Sequence, residues 1–239
     1  MSIKNLIASG CSFTSDGIGG MSPTVDGEGG CSFIHGNSTP QTWAGFLAQK
    51  LQVNSLVNSA TSGHGNILIA NTILELTKRF NYKTSDTLIV FNLADPARLD
   101  LPCDFTHLDA NTNSIPWDKN IIPYSYFNQS QSKIVTKLKI HSGIEQIEQL
   151  TSNTVEFLFN LLEYQKWNYY FLMMDNYLDH EYLGPIIKQF QHRLIRLNPG
   201  TSMLEFCQLT NNSKSKFDNH PTIEGHKIIA NAIYDRIQV

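Results

Sequence analysis

The sequence predicts an α/β fold, a parallel sheet covered by helices on both faces. Two observations carry this. Short apolar segments alternate along the chain with longer stretches of helical periodicity, and parallel strands need such crossover connections. The strongest short segment, Thr87 to Asn92, is apolar without interruption, as expected when both faces of a sheet are covered. Composition agrees: 239 residues, 41% hydrophobic and 16% charged, suit a folded chain with a sizeable core and not a disordered one.

Ile3 to Ser9 is an apolar run that stops at Gly10, which suits a buried strand entering a tight turn. About thirty residues rich in Gly, Ser and Thr follow, and Pro40 to Leu51 then sets Trp43, Phe46, Leu47 and Leu51 at helical spacing. Val53 to Val57 reads as a second strand. It leads through a loop containing Gly63, His64, Gly65 and Asn66 into a helix from Ile67 to Phe80. Thr87 to Asn92 is the third strand, closed by the turn signal Asp95-Pro96. Residues at about 100–140 hold no sustained period and form an irregular insertion. Its Trp117, Tyr124, Tyr126 and Phe127 either anchor it to the scaffold or wall a substrate site. Ile144 to Tyr164 is helical, Tyr169 to Met174 is a fourth strand, and Leu183 to Leu197 is a further helix. Ser202 to Phe206 reads as a fifth strand, and the last helix runs to Val239 with Thr222 as its N-cap. No internal boundary divides residues 1–239, which read as a single domain.

Eighteen Lys and Arg against 21 Asp and Glu give a net charge of −3, and no basic stretch offers a phosphate-binding surface, which argues against nucleic acid as a partner. No window approaches the ~18–20 apolar residues of a membrane helix, and the start MSIKNLIASGCSF turns polar too soon for a signal peptide. A cytoplasmic protein with no membrane partner is expected. Cys11, Cys31, Cys103 and Cys207 are far apart and form no C-x-x-C, so they read as free thiols and not as metal ligands. No cofactor is expected.

Ligands of open α/β sheets bind beyond the carboxyl ends of the strands, where the chemically suggestive residues of this chain fall. Ser12 sits two residues past the first strand, in the turn Gly10-Cys11-Ser12-Phe13-Thr14. A serine in such a turn acts as an acyl nucleophile when a histidine can take its proton, and otherwise merely caps a helix. His220, preceded by Asp218, opens the terminal helix at the same predicted edge, which brings acid, base and nucleophile into one crevice. His226, further into that helix, reads as structural. Gly30-Cys31-Ser32-Phe33 repeats the first motif, but no apolar strand precedes it, and nucleophile turns follow strands. Ser12 is therefore preferred to Ser32, and Cys11 reads as a buried thiol. His64 reads either as a substrate contact or as a polar loop residue.

These residues together resemble the SGNH (GDSL-like) hydrolases: Gly10 to Thr14, Gly63 with Asn66, Asn92 with Asp95 and Arg98, and Asp218-x-His220-Pro-Thr-x-x-Gly-His226. The resemblance implies a three-layer α/β/α sandwich on a five-stranded parallel sheet and a metal-free hydrolysis or transfer of acyl groups. It makes Ser12 the nucleophile, His220 the general base and then acid, and Asp218 the group that orients the imidazole. The oxyanion hole would comprise Ser12, Gly63 and Asn92, with His64 and Asn66 at the substrate. The sequence departs from the family pattern at two points. The family acid commonly lies three residues before the histidine, a place held here by Phe217, which leaves a Ser–His dyad or help from Asp175 as alternatives. The usual Gly-x-Asn-Asp block is missing, and Asn92 is the nearest asparagine, shifted by two positions. The implied activity is cleavage of a small-molecule ester, including an acyl group on a carbohydrate. Its rivals are a sugar O-acyltransferase and a catalytically silent binding protein of the same fold.

Overall fold

The computed structural model describes residues 3–14, 32–34, 41–60, 64–79, 82–98, 100–102, 121–122, 143–215 and 218–238. Its strands in chain order are β1 (Asn5–Ser9), β2 (Ser32–Ile34), β3 (Ser55–Asn58), β4 (Thr87–Leu93), β5 (Leu101–Pro102), β6 (Ile121–Ile122), β7 (Asn168–Met173), β8 (Ser213–Ser215) and β9 (Asp218–Pro221). Its helices are α1 (Trp43–Leu51), α2 (Asn66–Arg79), α3 (Ile144–Tyr164), α4 (Leu183–Gln189), α5 (Met203–Leu209) and α6 (Ile223–Gln238).

β1 lies at the centre of the main sheet, parallel to β3 on one side and to β4 on the other, and β7 continues the parallel run beyond β4. Every residue of β4 is buried, which accounts for its unbroken apolar sequence. Helix α1 packs on α6, while α2 packs on α3 and α3 on α4. A cluster of Phe91, Phe159, Tyr169 and Phe171 joins α3 to the strands β4 and β7. Among the described residues, no helix is long and apolar enough to cross a membrane.

The sheet corrects the expectation of five parallel strands. Four are parallel, and the fifth, β2, lies antiparallel against β3 at one edge. The expected strand from Ser202 to Phe206 is instead the start of helix α5. There the Ser202 hydroxyl accepts the Glu205 N–H at 3.2 Å, and the Glu205 carboxylate accepts the Ser202 N–H at 3.2 Å. This is a capping box, whose Ser-x-x-Glu spacing outweighs the apolar character of the run. The helix expected from Leu183 to Leu197 ends at Gln189. After a 3-10 turn at Gln191–Arg193, Leu194 forms a single parallel bridge to Phe171. That bridge, with the Ile195 N–H donating to the Phe171 carbonyl at 2.9 Å, lies beside β7 at the edge of the sheet.

Within the insertion, the described residues form one antiparallel ladder of β5 on β6. Trp117, Tyr124, Tyr126 and Phe127 lie outside the described residues, as do Gly63, Cys31 and Cys103.

Candidate active site

The turn after β1 is built from its underside. Gly10 has φ +150°, and a Cβ there would lie 1.9 Å from the Asn92 Oδ1, so only glycine lets the chain pass this close to β4. The Asn92 side chain is fully buried, and its Oδ1 accepts the Cys11 N–H at 3.1 Å and the Thr14 hydroxyl at 2.5 Å. Thr14 Oγ1 in turn accepts the Trp43 indole N–H at 3.2 Å, and the Trp43 backbone N–H donates to His226 Nδ1 at 3.2 Å. Burial, then the charges of Lys214 and His220, push His226 down to about 4. Its neutral ring is therefore free to accept that bond at neutral pH. One buried chain of polar groups thus ties the start of α1 and helix α6 to the floor of the turn.

On the upper side, Ser12 Oγ lies 2.6 Å from His220 Nε2, and His220 Nδ1 lies 2.5 Å from Asp218 Oδ1. The two-residue spacing succeeds because the same Asp218 oxygen also accepts the His220 backbone N–H at 3.0 Å. This local i to i+2 bond aims the carboxylate at the ring of the residue whose backbone it holds. Partial burial opposes ionisation of Asp218, but the His220 N–H, its ring and its charge, together with Lys214, hold the carboxyl below its ordinary range. Phe13 packs on the imidazole with ring centroids 4.8 Å apart. The hairpin β8–β9 carries Asp218 and His220, and Thr222 caps α6 immediately after it, accepting the Gly225 N–H at 3.0 Å. Asp175, the alternative acid, accepts the backbone N–H of Asn176 instead.

The two asparagines of the expected site, Asn92 and Asn66, bond to backbone and turn groups. Asn92, assigned to the oxyanion hole, has both ends of its carboxamide committed: besides the bonds to its oxygen, its Nδ2 reaches Cys11 Sγ and the Leu93 carbonyl, each at 3.2 Å. Asn66, assigned to substrate, is buried. It clasps the Ala94 backbone in both directions, accepting its N–H at 2.7 Å and donating to its carbonyl at 2.9 Å. His64 is 1% exposed, and neither ring nitrogen has a hydrogen-bond partner among the described residues. Burial, reinforced by the Arg98 charge, pushes it down to about 3. Ser32 lies in β2 and not in a strand-to-helix turn. Cys11 and Cys207 are buried free thiols.

Sequence reasoning assigned no role to Asp100, Thr14 or Trp43, and named Arg98 only within the resemblance. Asp100 is buried, and its carboxylate accepts the Gly65 N–H at 2.9 Å and the Leu68 N–H at 2.7 Å, capping α2 from a distance of 32 to 35 residues along the chain. Burial raises it to about 6 against those N–H groups and the Arg98 charge. No local pattern announces a cap supplied from so far along the chain. Among the described residues, no three His, Cys, Asp or Glu side chains gather as metal ligands would.

No protein-family model matches this sequence, and no curated protein does. Solved structures do match. TesA superposes with a TM-score of 0.51 at 11% identity, covering 98% of each chain. A lipolytic protein of the G-D-S-L family from Veillonella parvula DSM 2008 follows at 0.47 and 12%, over 97% of each chain. The esterase EstA from Pseudoalteromonas sp. gives 0.48 and 11%, over 98% of this chain and 97% of that one. The chain shares the fold of TesA. In this fold the turn after β1 and the hairpin before the last helix meet at the carboxyl edge of the sheet, which is where Ser12, His220 and Asp218 line up.

Proposed function

We propose that this protein is a serine-dependent carboxylic ester hydrolase working through an acyl-enzyme. The observation that carries this reading is the continuous line Ser12 Oγ–His220 Nε2, 2.6 Å, and His220 Nδ1–Asp218 Oδ1, 2.5 Å. In it, His220 takes the Ser12 proton as the oxygen attacks the ester carbonyl, then returns that proton to the departing alcohol. Asp218, kept ionised, holds the tautomer with the proton on Nδ1 and stabilises the imidazolium that forms. Water activated by His220 then releases the acid. The developing oxyanion is held by the backbone N–H groups of Ser12 and Gly63, since the carboxamide of Asn92 is spent beneath the turn. Small carboxylic esters, acylated carbohydrates among them, are the proposed substrates.

The test is release of p-nitrophenol from acetyl, butyryl and octanoyl esters by the parent protein and by Ser12→Ala, His220→Ala and Ser32→Ala. Activity should fall by about 10⁴-fold or more in the first two and persist in the third. Adding a sugar acceptor and analysing the products separates hydrolysis from transfer. A parent protein that neither turns over any ester nor is labelled at Ser12 by a fluorophosphonate overturns the reading and leaves a binding protein on this fold.

A further inference from the structure

Beside the nucleophile turn lies a group of polar side chains that the proposed chemistry does not use. Arg98, half-buried, donates Nη1 to the His64 carbonyl at 3.1 Å and Nη2 to the Met174 thioether at 3.5 Å. Among the described residues it has no carboxylate within ion-pair distance, so most of its N–H groups are unspent, although its charge is felt by the buried Asp100. Met174 also touches Cys11, the neighbour of Ser12, with Sγ and Sδ 3.7 Å apart. Three residues beyond Met174, the buried Tyr177 hydroxyl has no hydrogen-bond partner among the described residues, and neither has the His64 ring. A buried polar atom left unpaired is costly, and so is a half-buried guanidinium whose N–H groups lack acceptors. Three such groups, His64 past the carboxyl end of β3, Arg98 past that of β4 and Tyr177 past that of β7, point to a missing shared partner.

We infer that Arg98, flanked by Tyr177 and His64, forms a subsite for a carboxylate carried by the substrate, so that the preferred esters are anionic. The inference deepens the hydrolase reading and rests on it for the word substrate. The planar fork of arginine matches a carboxylate's two oxygens. The flanking groups suit the same ligand. Burial, with Asp95, Cys11 and Asp175 adding to it and Arg98 opposing, keeps the Tyr177 phenol protonated as a donor. His64 stays neutral, so Arg98 is the cation of the group.

Two matched substrate pairs test it. Mono-p-nitrophenyl glutarate against p-nitrophenyl pentanoate places the carboxylate on the acyl side, and 3-acetoxybenzoate against phenyl acetate places it on the alcohol side. The parent protein should favour the anionic member of one pair by about 10-fold or more in kcat/KM. Arg98→Met should erase that ratio, and Tyr177→Phe should reduce it about 3-fold, mainly through KM. Arg98→Lys keeps the charge and guards against misfolding of the Met variant, and should retain part of the preference. Equal turnover within both pairs, with Ser12 still labelled by a fluorophosphonate, overturns the subsite and leaves the hydrolase standing. If no ester is turned over, glutarate itself decides: it should raise the Tm of the parent protein and of Ser12→Ala but not of Arg98→Met, and no shift in any of them ends the proposal.

Discussion

The two flanks of the crevice use the same residue types in opposite ways. On the hairpin side, His220 and Asp218 are partly exposed, with side chains 30% and 43% accessible, and their bonds run to one another and to Ser12. On the side of β3 and β4, Asn66, Asn92, Asp100 and His64 are all buried, and the first three spend their polar atoms on backbone or on the turn itself. Polar side chains at strand ends thus fall into two kinds. Those that secure loops give up their reactivity to do so, and those that are held by others keep it.

Asn92→Ala probes this difference most strongly. If Asn92 only donated to an oxyanion, its loss would lower kcat by about 10²–10³ and leave the fold intact. Under the structure described here, the truncation strands the Cys11 N–H and the Thr14 hydroxyl in a buried void. The expected cost is about 4 kcal/mol, near 10 °C in Tm, together with the activity. A variant with unchanged Tm and a selectively lowered kcat would return Asn92 to the oxyanion hole.

The pH dependence of stability sharpens the contrast between the two histidines of the last motif. His226 is buried and pushed from 6.5 to about 4, so the folded state resists its protonation. Above pH 6.5 the ring is neutral in both states and contributes nothing. As pH falls from about 6.5 to about 4 the unfolded chain gains a proton that the folded one refuses, and stability is lost, by about 3 kcal/mol over the window. Below about 4 the loss is complete. His64 adds a loss of the same sign down to about 3, whereas Asp100, raised to about 6, gains a proton in the folded state first and opposes them. Denaturant unfolding of the parent protein and of His226→Gln at pH 7.5 and 5.0 isolates the His226 share, because the other groups cancel in the difference. The parent should lose about 2 kcal/mol more than the variant. Equal losses would mean that His226 is protonated in the folded protein.

What was legible in the sequence follows from how local each signal is. The helix Ile144–Tyr164 and the strand Thr87–Leu93 carry their periodicity within themselves and are found where the pattern puts them. Ser202–Phe206 has the apolar letters of a strand, but its Ser-x-x-Glu cap is the stronger local signal and makes it a helix start. In the site, the Ser12, His220 and Asp218 expectations rested on a turn and a motif that read locally. The bonds that Asn66 and Asn92 make are not legible in the same way, because the direction of a side chain at a strand end depends on neighbours that only the fold brings near: Ala94 in one case, Cys11 and Thr14 in the other. Asp100 escaped notice for the same reason, since its partners at Gly65 and Leu68 are remote in sequence.

Asn66→Ala gives the mildest test and separates anchoring from substrate contact. The asparagine opens α2 and holds both polar groups of Ala94, so its removal leaves a buried N–H and a buried carbonyl unpaired just past the end of β4. The expected cost is about 2 kcal/mol, below the Asn92 case because no hydroxyl is stranded and the nucleophile turn itself is not touched. KM for a short p-nitrophenyl ester should change by less than about 2-fold, since the side chain does not reach the crevice. A KM raised about 10-fold at unchanged Tm would make Asn66 a substrate contact after all. It would also show that the buried flank rearranges when an ester is bound, which would end the division of labour drawn between the two flanks.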